Sequence, residues 1–264
     1  MAGFAPTTNA FPPSWSPNSP RLNYFRQMLT SNGDAFAIGA AIRELSAHVK
    51  QHCPNALILY NEYGAYLRPS REGEAAAVDS KRSQMLSTLD VVNAGADTRG
   101  YIDGVGFESH FGCEHIADWS ANGLRAVRDD IVSNLAAFVA RGLSTHISEI
   151  DWTNCLGNDD RWKVMSHMQF SACFNQPRCS TIGIWGVADP FRWQQPVGGS
   201  VLDHHTLFDS SGRPHPSYFG LVDALLGRKP IECASSQSRE MQAYCSLPVL
   251  PIRQAVGGSW GHTA

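Results

Sequence analysis

Apolar and polar positions along this chain follow two alternating rhythms. In "DAFAIGAAIRELSAHVKQHC", Ile38, Ile42, Leu45 and Val49 recur at helical spacing. This predicts a helix that buries that stripe, with Asp34 placed as its N-cap. "ALILY" follows as a short, continuously apolar strand. The pattern then repeats. "SKRSQMLSTLDVVNAG" reads as helix and "YIDGVGFESH" as strand. "SANGLRAVRDDIVSNLAAFVARG" is the clearest helix, with Leu124, Val127, Ile131, Leu135 and Phe138 on one face and Gly142 as its stop. "STHISEIDW" reads as strand, "DRWKVMSHMQFSACF" as helix, "STIGIWGV" as strand and "PSYFGLVDALLGR" as a last helix.

Strands that alternate strictly with helices predict an α/β chain, with parallel strands in one sheet covered by helices. The alternation alone does not separate an open doubly wound sheet from a closed barrel. No G-x-G-x-x-G turn follows any of the strands, which disfavours a dinucleotide fold. Residues 1–22, rich in Pro, Ser and Asn, read as an irregular lead-in. Residues 229–264 read as a C-terminal tail, with Cys233 and Cys245 placed to staple it.

Composition narrows the partners. The 264 residues carry a formal net charge of −3, which gives no electrostatic reason to expect nucleic acid or an anionic membrane. A neutral substrate suits this balance better, and seven Trp offer flat faces of the kind that stack on sugar rings. No stretch approaches the length of a membrane span. Seven cysteines without C-x-x-C spacing read as disulfides of a secreted protein, with one left over. The opening "MAGFAPTTNAFPPSWSPNSP" has neither the basic start nor the apolar run of a signal peptide. That conflicts with secretion unless the chain begins inside a longer protein.

Polar residues gather where the strands finish: Asn61-Glu62-Tyr63, Glu108-Ser109-His110, Glu149-Ile150-Asp151-Trp152 and Trp185-Gly186-Val187-Ala188-Asp189. Side chains alternate along a strand, so Glu108 and His110 share one face, as do Glu149 and Asp151. Neighbouring strands lie roughly 4.8 Å apart. If the two faces coincide, His110 reaches Glu149 or Asp151. Carboxylates and an imidazole at strand C-termini are the arrangement of a barrel enzyme's working end.

Taken in order, "IDGVGFESH", "HISEIDW", "CFNQPRCSTIGIWGVADPFRW" and "LFDSSGRPHPSYFGLVDAL" resemble the second half of a family 10 glycoside hydrolase, the family of retaining endo-β-1,4-xylanases. The resemblance runs from about residue 22 to residue 228, and the Cys173–Trp193 block is its most specific part. It implies an incomplete (β/α)8 barrel over residues 23–228, holding strands five to eight. It implies Glu149 as nucleophile, His110 as the residue that hydrogen-bonds it, and Asp151 as support for that network. Trp185 and Trp193 would wall the sugar pocket, Tyr63 would stack on the leaving-group side, and Asn61 would contact sugar hydroxyls. Glu108 is placed among the substrate-binding residues, where the family usually has Gln. Cys173 and Cys179 would form the family's disulfide. Xylan is the implied substrate, with no metal or organic cofactor, and the implied location is extracellular.

Besides Glu108 in place of Gln, two further departures qualify this assignment. Thr145 and Trp152 flank the nucleophile where the family prefers small or branched apolar residues. The family's acid/base, a Glu after Asn at the end of the fourth strand, has no counterpart. Asn61-Glu62 is the only Asn-Glu pair in the chain, but it stands where the fifth strand ends in Asn-Asp-Tyr. Half a barrel leaves two strand edges and an apolar inner face uncovered, so self-association or a separate N-terminal half-barrel is expected. Two other readings are a catalytically silent sugar-binding relative, or a truncated gene product, and a chain in which Glu62 or Glu108 has become the proton donor.

Overall fold

The computed structural model describes residues 35–63, 72–94, 101–153, 155, 158–191, 206–230, 233 and 238–248. The lead-in 1–22, the Asp34 cap, Trp193 and the end of the tail lie outside these residues. The chain divides into two compact units, residues 1–58 with 86–102 and residues 59–85 with 103–264.

The first unit holds helix α1 (Ala35–His52) and the C-terminal end of α2 (Glu72–Asn93). Two residues of the expected stripe are not packed, Leu45 at 68% exposed and Val49 at 41%, while Ile42 is half-buried. Among the described side chains of α1 the buried positions are Gly39 and Ser46, and Arg43 lies on that side, donating from Nε to Val92 O at 2.8 Å and from Nη2 to Val91 O. These carbonyls lie in the last turn of α2, where the helix supplies few donors, and Val91 O also accepts from Ala94 N at 3.3 Å. A guanidinium that satisfies two of them decides which side of α1 turns inward. Asn93 closes the following turn by accepting from the amides of Tyr101 and Ile102, both at 2.9 Å.

The second unit is built on a four-stranded parallel sheet, ordered β1 (Leu59–Tyr63), β2 (Gly104–Gly112), β3 (Ser144–Thr153), β4 (Cys179–Ile182). Strand β1 starts later than the apolar run "ALILY" suggests and takes in Asn61, Glu62 and Tyr63, which pair with Gly106, Phe107 and Glu108. One side of the sheet is apolar and covered. Val105, Phe107, Ile147, Ile150 and Trp152 are buried there. Phe107 meets Phe138 of α3 (Ala121–Val139) edge-on with ring centroids 5.3 Å apart. Helix α3 follows its sequence pattern. Leu124, Ile131, Leu135 and Phe138 are fully buried, Ser120 accepts from Gly123 N as the N-cap, and Gly142 with φ 79° ends the turn.

Helix α4 (Asp159–Phe174) is buried over Trp162–Cys173. It lacks a single apolar stripe because neighbours enclose it on several sides. On the sheet side Gln169 Oε1 accepts from Trp152 Nε1 at 2.7 Å. Farther round, Arg161 pairs with Glu240 and His167 Nδ1 lies 2.7 Å from Tyr244 Oη. Both partners belong to α6 (Arg239–Cys245), a helix inside the segment that reads as a tail. Helix α5 (Pro216–Leu225) precedes it.

Three disulfides are present: Cys113–Cys155, Cys173–Cys179 and Cys233–Cys245. The last two match the sequence expectation. Cys53 is the free, exposed cysteine.

Candidate active site

The catalytic potential of the sheet depends on one irregularity in β3. Phe107 pairs with Ile147, but the next residue, Glu108, pairs with Glu149, so Ser148 is the extra residue of a bulge. In an unbroken register Glu149 would oppose Ser109 and point to the helix-covered side. The bulge turns Glu149 over, and it faces the same way as Glu108, His110 and Asp151. Gly183 accommodates it, since a Cβ there would overlap the Ser148 carbonyl. This is the condition the strand periodicity leaves open, and it is met.

His110 is the centre of the resulting cluster. Its Nε2 lies 3.0 Å from Glu149 Oε2 and its Nδ1 lies 3.0 Å from Asp151 Oδ1. Asp151 is 1% exposed, so it serves the imidazole from below and offers nothing to a substrate. Burial pulls the His110 pKa down, but the hydrogen bonds and charges of Asp151 and Glu149 outweigh it and hold the imidazole above its ordinary 6.5. The imidazole thus sits between two carboxylates, one at each ring nitrogen.

A pH dependence follows from that shift. A folded-state value above the unfolded one contributes stability that is complete below about pH 6.5 and lost as pH rises through the folded value. Urea unfolding of the wild type and His110→Asn is therefore expected to show a stability gap that narrows as the pH rises above about 6.5. A gap that widens over that range contradicts the assigned ion pairs.

Asn61 and Tyr63 point to the same side as this cluster. Asn61 Nδ2 donates to Glu108 Oε1 at 2.7 Å, and the Tyr63 ring lies 5.9 Å from the His110 ring. Glu62, between them, points to the opposite side and pairs with Lys81 Nζ of α2 at 2.8 Å. The geometry therefore excludes Glu62 from the cluster. It also accounts for Tyr60 beside it, whose pKa is pushed up to about 12 by burial and by the charge and hydrogen bond of Glu62.

Strand β4 ends at Ile182, earlier than "STIGIWGV" suggests, yet the chain keeps following β3. Gly183 N donates to Ile147 O at 2.7 Å and Trp185 N to Ile150 O at 2.9 Å. These bonds bring the Trp185 ring to 6.2 Å from His110, edge to face. Trp185 and Tyr63 thus flank the imidazole on two sides, 42% and 43% exposed. Asp189, in the W-G-x-x-D motif, accepts from Thr206 Oγ1 at 2.7 Å and lies 3.0 Å from His215 Nε2. It anchors the Trp185 loop, a role that residue type alone does not reveal.

Glu108, His110 and Glu149 each offer a ligand atom within 4.8 Å of the others. Two carboxylates and an imidazole could in principle hold a divalent cation. Both imidazole nitrogens already face carboxylates, so a metal would have to break one of those contacts. The arrangement reads as a hydrogen-bonded acid–imidazole cluster.

The chain is similar in sequence and fold to known proteins of one family. The family model described as "Glycosyl hydrolase family 10" matches residues 39–224. Endo-1,4-beta-xylanase D of Talaromyces funiculosus is 26% identical over 176 residues, covering 65% of this chain and 38% of that protein. An endo-1,4-beta-xylanase of Geobacillus stearothermophilus is 24% identical over 219 residues, covering 77% and 56%. The chain therefore spans roughly half the length of these relatives. Among solved structures, an endo-1,4-beta-xylanase of Penicillium canescens superposes with a TM-score of 0.56 at 21% identity, covering 75% of this chain and 54% of the other. A thermostable mutant xylanase of Cellvibrio japonicus superposes at 0.55 and 22%, covering 71% and 55%. The parallel βα units are part of a TIM barrel of that type, and the chain belongs to glycosyl hydrolase family 10.

Proposed function

We propose that this chain carries the nucleophile half of a retaining endo-1,4-β-xylanase acting on xylan, with strands β1–β4 corresponding to barrel strands five to eight. The observation that carries the reading is the Glu149–His110–Asp151 relay at the strand C-termini, set between two aromatic rings. The relatives' names supply the substrate class.

Glu149 attacks the anomeric carbon from the face opposite the leaving oxygen, through an oxocarbenium-like transition state, and forms a glycosyl-enzyme ester. The His110 proton occupies Glu149 Oε2, which leaves Oε1 to make the bond. Asp151 keeps the imidazole protonated and oriented. Trp185 and Tyr63 stack on the sugar rings, with Trp193 assigned to the same pocket, and Asn61 meets sugar hydroxyls. The chemistry calls for no metal or organic cofactor. The family's usual acid/base, at the end of the fourth strand, has no counterpart among the described residues. Three disulfides suit an oxidising, extracellular setting. Among the described residues no helix is long and apolar enough to cross a membrane.

The test is a dinitrophenyl 2-deoxy-2-fluoro-xylobioside. The fluorine destabilises both oxocarbenium-like transition states, while the aryl group leaves without a proton, so the ester accumulates. Intact-mass and peptide mapping are expected to place one fluoroxylobiosyl group on Glu149. A label on another residue, or none, rejects the reading.

A further inference from the structure

The bulge that exposes Glu149 also sets a second carboxyl beside it. Glu108 and Glu149 are register partners on adjacent strands, with carboxylate oxygens within 4.8 Å of each other. A retaining glycosidase needs two carboxyl groups about 5–5.5 Å apart. The other acidic groups on the described strands are committed elsewhere: Asp151 is buried under His110, and Glu62 is on the far side of the sheet with Lys81. Glu108 is half-buried and receives a hydrogen bond on Oε1 from Asn61, which leaves Oε2 as the oxygen that can carry a proton.

We propose that Glu108 is the general acid/base of this chain, and the proposal rests on Glu149 being the nucleophile. In the first step Glu149 bonds to the anomeric carbon, the bond to the leaving oxygen breaks, and the Glu108 proton moves to that oxygen. In the second step Glu108, now a carboxylate, takes a proton from water as the water oxygen attacks and Glu149 is released. Burial and the neighbouring Glu149 charge raise the Glu108 pKa, opposed by His110 and Lys81, which favours the protonated form before the first step.

The experiment compares Glu108→Gln with the wild type on two substrates. The variant keeps the shape and the oxygen that Asn61 contacts, and a matching thermal melt establishes that it folds. Loss of a general acid is expected to lower kcat/KM on xylan by about 10²–10⁴-fold. The dinitrophenyl xylobioside should still give a burst of dinitrophenolate, because its leaving group needs no proton. Added azide should then speed turnover and yield β-xylosyl azide, through the space no longer guarded by a charged base. Xylan hydrolysis within about threefold of wild type, or equal losses on both substrates without azide rescue, overturns the proposal. A wild type labelled at Glu149 that leaves xylan intact overturns it too, while sparing the nucleophile. A wild type never labelled at Glu149 removes the nucleophile first and this proposal with it.

Discussion

Glu149→Ala is expected to lower turnover of xylan by about 10⁴-fold or more, with little effect on folding. In the proposed mechanism the reaction passes through a covalent ester to this carboxylate. Its neighbours Ile150 and Trp152 are fully buried and carry the packing of β3, whereas Glu149 is partly exposed and bonded only toward His110 in the cluster. The shortened side chain leaves a space into which azide fits. With the dinitrophenyl xylobioside, azide is expected to restore turnover and give α-xylosyl azide, because the small anion enters from the face Glu149 vacates. Steady-state kinetics and NMR of the product anomer check both parts. Turnover within tenfold of wild type would remove Glu149 from the mechanism.

Removing the Cys113–Cys155 bridge by Cys113→Ala with Cys155→Ala is the second large effect. The bridged residues are 42 apart in sequence, against 12 for Cys233–Cys245 and 6 for Cys173–Cys179. In the chain-entropy account the three bridges contribute about 4, about 3 and about 2 kcal/mol respectively, since the cost of closing a loop grows with its logarithm. The Cys113–Cys155 loss also falls closest to the chemistry. Cys113 follows β2 three residues after His110, and Cys155 follows β3 four residues after Asp151. Urea unfolding of the three double variants is expected to rank them in that order. A loss below about 1 kcal/mol for Cys113–Cys155 contradicts the account.

The strand–helix alternation and the buried stripe of α3 were legible because each reports a local period that burial enforces. The candidate cluster was legible in part, since His110, Glu149 and Asp151 could be placed at adjacent strand ends from spacing alone. Whether they faced one another could not be read, because the Ser148 bulge is a mismatch between two strands and leaves no mark in either one. For α1 the periodicity pointed to Leu45 and Val49, but Arg43 satisfying the carbonyls of Val91 and Val92 is a long-range interaction that spacing does not register. The short helix α6 escaped for a related reason. Its support comes from His167 and Arg161, far upstream, and from a disulfide at its last residue. Pairing of Cys113 with Cys155 likewise depends on β2 and β3 ending side by side. Seven cysteines allow many pairings, and only the sheet order selects this one.

The extra residue in β3 has a consequence for how this protein can evolve. Along a strand, odd and even positions belong to different solvents, one side oil-like and the other wet. Ironing the bulge out with Ser148 still in place would leave every downstream side chain intact yet exchange those two worlds, sending Glu149 into the oily side and Ile150 into water. Substitutions around the pocket can be tuned one at a time, but the offset in pairing that delivers the proposed nucleophile cannot, and the proposed chemistry is held as firmly by that offset as by any side chain.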